Sequence, residues 1–88
     1  MLERQKIINF IKKRPHLIWW VKNYQRLSDE AIVEATLNYG DWDDVLLLLK
    51  ILGTQKTALI FKKQIKQKRN NYRDKTKNYF TLYFKQYA

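Results

Sequence analysis

Cysteine is absent from this 88-residue chain, proline and histidine occur once each, and glycine twice. Without cysteine there is no disulfide staple, no thiolate metal site and no cysteine nucleophile. So few turn-forming residues predict few tight turns and a chain built mostly of helices. Acids are scarce too, eight against eighteen Lys and Arg, which leaves a formal charge of +10. Long apolar runs are missing. "LIWWV" and "VLLLL" are five residues each, against the roughly 20 that span a bilayer. The N-terminal "MLERQKIINFIKKRP" lacks the continuous apolar stretch of a signal peptide. These absences predict one cytoplasmic domain, residues 1–88, with no membrane span.

What is present is aromatic and basic. Three Trp, six Tyr and four Phe exclude a disordered tail. A chain of this length buries only about 60–70% of its unfolded surface, so helix packing or a partner matters to its stability. Charge is unevenly spread: residues 1–28 carry a net +6, residues 29–44 a net −6 and residues 45–88 a net +10. A cationic second half suits an anionic partner, such as nucleic acid, an acidic protein surface or a membrane, and is also compatible with a plain solvated surface.

Periodicity predicts an all-α, compact bundle of about five short helices. "LERQKIINFIKKR" places Ile7, Ile8 and Ile11 near one stripe, with Lys12, Lys13 and Arg14 at the electronegative end and Pro15 disfavouring helix at Arg14. "PHLIWWV" reads as an anchor laid into the core. The next helix starts with Ser28 as N-cap and Asp29 and Glu30 in its first turn, and Gly40 sits where a left-handed C-terminal residue is wanted.

"GDWDD" then raises the sharpest chemical question. Asp41 and Asp43 have the spacing of the paired metal-holding aspartates of a nucleotidyltransferase, but no Gly-Ser phosphate turn precedes them. Read as a helix start, Asp41 is the N-cap and Asp44 the third helical residue, a carboxylate variant of the capping box with every acid at the electropositive end. Capping therefore explains the cluster without a metal. The helix it opens is apolar nearly all round, with Trp42, Val45, Leu46, Leu49 and Leu52 on one stripe and Leu47, Leu48 and Ile51 on its flanks. After Gly53, Thr54 is a candidate N-cap for a helix packing Ala58, Leu59, Phe61 and Ile65 inward. "KTKNYFTLYFKQYA" spaces Tyr79, Phe80, Tyr83, Phe84 and Tyr87 for a last helix.

Little here carries covalent chemistry. His16 stands alone, no nucleophile-base pair has a recognisable spacing, and no glycine-rich phosphate loop exists. No enzyme activity, catalytic residue, cofactor or metal site is expected. Three binding readings remain, one of them a membrane-surface protein using the basic N-terminal helix. Lys56, Lys62, Lys63, Lys66, Lys68, Arg69, Arg73, Lys75 and Lys77 could meet nucleic acid or an acidic partner. Trp42 to Arg69 also has a helix-turn-helix-like layout, with Gly53 in the turn, Leu59 in the core and Gln55, Lys56 and Thr57 facing a groove, although Leu49 and Lys62 depart from that pattern. Alternatively Trp19, Trp20, Trp42, Leu47, Leu48, Tyr83 and Tyr87 could anchor a protein partner.

"RPHLIWW", "LSDEAIVEATLNYGDWDDVLLLLKILG" and "RDKTKNYFTLYF" together resemble a small bacterial domain of unknown function, over roughly 75 residues. Trp20 stands where that domain has an Asp after its first Trp. Such domains are often encoded beside nucleotidyltransferase toxins of the abortive-infection type. The resemblance implies an antitoxin-type role, with a cognate toxin as partner and DNA as a further possible ligand.

Overall fold

The computed structural model describes residues 2–18, 26–67 and 72–88, with side chains of the first helix from residue 5 onward. Trp19, Trp20, Lys68 and Arg69 lie outside the described residues. Five α-helices and one short 3-10 turn form among the described residues, with no strand: α1 (Leu2–Lys12), α2 (Asp29–Tyr39), α3 (Trp42–Leu52), α4 (Thr54–Lys66) and α5 (Asp74–Tyr87), the turn being Pro15–Leu17. The all-α bundle expected from periodicity is the fold found.

Each helix takes its place by its apolar stripe. α1 buries Ile7, Phe10 and Ile11, with Ile8 half-buried beside them. Pro15 stops it as expected, and Leu17 and Ile18 then turn into the core. α2 contributes Ile32, Val33, Ala35 and Leu37, α4 contributes Ala58, Ile60 and Phe61, and α5 contributes Phe80 and Phe84. Phe61 is the aromatic hub, meeting Tyr72, Phe80 and Phe84 at ring-centroid distances of 5.1, 6.2 and 5.5 Å. Such pairs add about 0.5–1.5 kcal/mol beyond their burial.

The helix starts follow the sequence reading in two of three cases. The Ser28 hydroxyl accepts from the Ala31 N–H at 3.1 Å. At α3 the capping box closes on both sides: Asp41 Oδ1 accepts from the Asp44 N–H at 2.9 Å, and Asp44 Oδ2 accepts from the Asp41 N–H at 3.2 Å. At α4 the expectation fails. Thr54 is already helical, Gly53 holds the cap position, and no side chain caps the helix.

The two glycines act differently from each other. Gly53, the single residue between α3 and α4, has φ +89° and ψ 140°, a backbone region open in practice only to glycine. Gly40 is not left-handed as expected, with φ −74° and ψ 154°. Space is what makes it glycine. A Cβ there would stand 2.6 Å from the Thr36 carbonyl oxygen and 3.0 Å from Asp44 Cβ.

Three side-chain expectations are corrected. Leu48, read as a partner contact, is fully buried, because it points with Val45 and Leu49 into the bundle. Leu59, read as core, is 64% exposed. Thr57, read as groove-facing, is fully buried, its hydroxyl donating to the Gly53 carbonyl at 2.9 Å. The last two share a cause. α4 packs through Ala58, Ile60 and Phe61, a stripe that rotates Leu59 out and Thr57 in, so the helix-turn-helix register does not describe this pair of helices.

Candidate protein-interaction surface

The choice between phenylalanine and tyrosine on α5 decides what that helix shows to solvent. Phe80 and Phe84, with no polar atom, turn inward, while Tyr79 and Tyr87 are exposed and Tyr83 is half-buried between them. Spaced by four, the three tyrosines form a row along one edge of the helix. Tyr83 and Tyr87 rings lie 4.8 Å apart, and Tyr79 is nearly parallel to Tyr83 at 6.3 Å.

α3 completes this face. Trp42, the first helical residue after the Asp41 cap, reaches α5 and meets Tyr83 edge-on at 5.4 Å and Tyr79 edge-on at 6.0 Å. It remains 43% exposed. One turn along, Leu46 is equally open, and on α5 Leu82 is 68% exposed beside Tyr79, Tyr83 and Tyr87 around a depression of about 250 Å³. Aromatic side chains with a wet polar tip and a large apolar body are the usual anchors of protein interfaces.

Of the residues expected to contact a protein, the structure thus brings together Trp42, Tyr83 and Tyr87. It does not bring Leu47 to them. Leu47 is five residues beyond Trp42, about 140° round the helix, and lines a separate groove against α1 with Ile51. Sequence reasoning missed Leu46, Tyr79 and Leu82 as surface residues. The four-residue tyrosine spacing was a usable signal for Tyr79; Leu46 and Leu82 carried none.

The expected cationic residues divide similarly. Lys62, Lys63 and Lys66 are exposed on α4 and, with Leu59, occupy positions i, i+3, i+4 and i+7 of one face. Lys56 instead pairs with Asp29 of α2 at 3.3 Å. Arg73 lays its guanidinium over the Tyr39 ring, 5.1 Å from the centroid. Lys75 is exposed and Lys77 half-buried on α5.

The acidic cluster is structural. Asp44 Oδ1 accepts from Arg14 Nε at 2.7 Å, and His16 Nε2 stands 3.5 Å from Oδ2. Burial pushes the Asp44 carboxyl up, but hydrogen bonds from Arg14 and the Asp41 backbone, with the Arg14 charge, outweigh it and hold the pKa below the ordinary value. Among the described residues no group of three metal-ligating side chains comes together. A groove of about 440 Å³ beside α2 and α4 has Glu30, Glu34, Lys56, Leu59, Ile60 and Lys63 in its lining, together with Gln64 and Gln67.

No family model, curated protein or solved structure matches this chain.

Proposed function

We propose that this chain is a non-catalytic binding protein whose α3–α5 aromatic face docks on another protein, as the antitoxin-type partner of a bacterial toxin enzyme. The observation that carries the docking reading is the cluster of Trp42, Tyr79 and Tyr87, exposed and joined ring-to-ring through the half-buried Tyr83, beside the exposed Leu46 and Leu82. A core would bury such rings, and a contiguous exposed apolar patch of this kind marks an interaction site. The nature of the partner rests on the resemblance in "YGDWDDVLLLLKILG" and "KTKNYFTLYF". A nucleotidyltransferase-type toxin is its first candidate.

The electrostatics suit that role. With a formal charge of +10, the chain is drawn to an acidic partner from a distance, and the apolar anchors then set the lifetime of the complex.

The test is a tagged pull-down from the native host, washed at low and then at high salt, with protein and nucleic acid both identified. The expected result is one stoichiometric protein retained at high salt and lost with Leu82→Asp/Tyr87→Asp, both exposed positions that leave the fold intact. Nucleic acid released by modest salt, lost instead with Lys62→Glu/Lys63→Glu, would overturn the protein-docking reading in favour of a DNA-binding regulator working through the α4 lysines.

A further inference from the structure

The second exposed flank of α3 faces α1 and has a different chemistry from the aromatic face. Leu47 and Ile51 form its apolar floor together with the edge of Phe10, and Lys6, Lys13 and Arg14 of the first helix and its end form one wall. Arg14 is already engaged, by Asp44 at 2.7 Å and by the Phe10 carbonyl at 3.1 Å. Lys6 and Lys13, both exposed, carry the open charge of the groove. No carboxylate of the described residues lines it.

From this we infer that the α1–α3 groove is a docking site for an acidic amphipathic helix of a partner protein. Charge complementarity selects the sign, because every charged group of the wall, which also holds the neutral Asn9, is cationic. Spacing selects the helix. Lys6 and Lys13 are two turns apart, about 10.5 Å along α1, and Leu47 and Ile51 are one turn apart on α3. A helix laid in the seam would present apolar side chains at i and i+4 to the floor and, from different positions on its adjoining flank, carboxylates seven residues apart to the lysines. The depression holds about 230 Å³, below the roughly 300 Å³ at which small-molecule pockets begin, yet ample for a pair of aliphatic side chains. The inference is independent of the α3–α5 face, which shares no residue with it.

The test uses the full chain, isotope-labelled, titrated with an alanine-rich helical peptide carrying two leucines four residues apart and, at other positions on the adjoining flank, two glutamates seven residues apart. The same peptide with glutamine for glutamate is the control. The glutamate peptide is expected to shift amide signals around Lys13, Leu47 and Ile51, and to bind less as salt rises. Lys6→Glu/Lys13→Glu is expected to weaken it by about tenfold or more, since two attractive charge pairs become repulsive. Unchanged helicity of that variant shows that it folds, and Leu47→Asp gives a second variant acting through the floor. Equal binding of both peptides would overturn the inference. So would binding indifferent to Lys6 and Lys13, or signals confined to Tyr79, Leu82 and Tyr87. Binding to phosphatidylserine vesicles that depends on both lysines, with no binding of the peptide, would overturn it in favour of a lipid surface.

Discussion

At the scale of residues, Asp44 does the work of three groups. It closes the capping box of α3, holds Arg14, and through Arg14 ties the end of α1 to the start of α3. Asp44→Asn keeps the size but loses the charge-assisted bonds, and should cost about 2 kcal/mol in urea unfolding at neutral pH. The pH dependence has a fixed sign. Because the folded-state pKa lies below the ordinary value, the stabilisation is complete above about pH 4 and is lost as pH falls through the folded pKa. The wild type should therefore lose stability on that acid limb faster than Asp44→Asn. Equal slopes would mean that the Arg14 pair contributes nothing in solution. The glycines give a second contrast. Gly40→Ala is allowed by its φ but drives a methyl into the Thr36 carbonyl, while Gly53→Ala meets open space at a forbidden φ. Each should cost about 1–3 kcal/mol. Asn, which tolerates the left-handed helical region, should rescue neither, since ψ 140° at Gly53 lies outside that region. Recovery of thermal stability in Gly53→Asn would contradict this account.

At the scale of elements, α3 explains both what the sequence made legible and what it hid. Its start and stop were legible, because Asp41, Asp44 and Gly53 are local signals read within a few residues. Its orientation was not. With apolar residues on nearly every side, its own pattern cannot say which flank is covered, and only its packing against the neighbouring helices selects Val45, Leu48 and Leu49 for the interior. The same ambiguity misplaced Leu59 and Thr57, since α4 is turned by Phe61 meeting the α5 aromatics. The exposed aromatic face was half legible for a related reason. Tyrosine and phenylalanine share a period on α5 but differ in what burial costs them. Truncation separates the two flanks of α3. Leu48→Ala should cost about 2–5 kcal/mol, as for a fully buried leucine, whereas Leu47→Ala should stay within about 1 kcal/mol. Comparable losses in denaturant midpoint would place Leu47 in the core and remove the floor of the α1–α3 groove.

At the scale of the molecule, the fold folds its acids among its bases. The negative stretch of residues 29–44 gives Asp29 to Lys56 and Asp44 to Arg14, and so is tied to the cationic segments on either side. The remaining excess of +10 is spread over a molecule only 29 × 24 × 21 Å. At low ionic strength these charges repel across the whole surface, since the Debye length at about 0.01 M is near 30 Å and falls to about 8 Å at 0.15 M. Screening weakens the exposed Lys56–Asp29 pair, but one surface pair counts for about 0.2–1 kcal/mol at most, against repulsion summed over the entire chain. The melting temperature should therefore rise when salt is added from low to physiological strength. Lys62→Glu/Lys63→Glu/Lys66→Glu tests the cause, each reversal lowering the formal charge by two, from +10 to +4. All three positions are exposed, so the fold should persist while the rise with salt largely disappears. A melting temperature that falls with salt in the wild type would mean that its ion pairs outweigh its self-repulsion. The excess charge would then impose no penalty on the free chain for an acidic partner to relieve, and steering alone would remain as its contribution to binding.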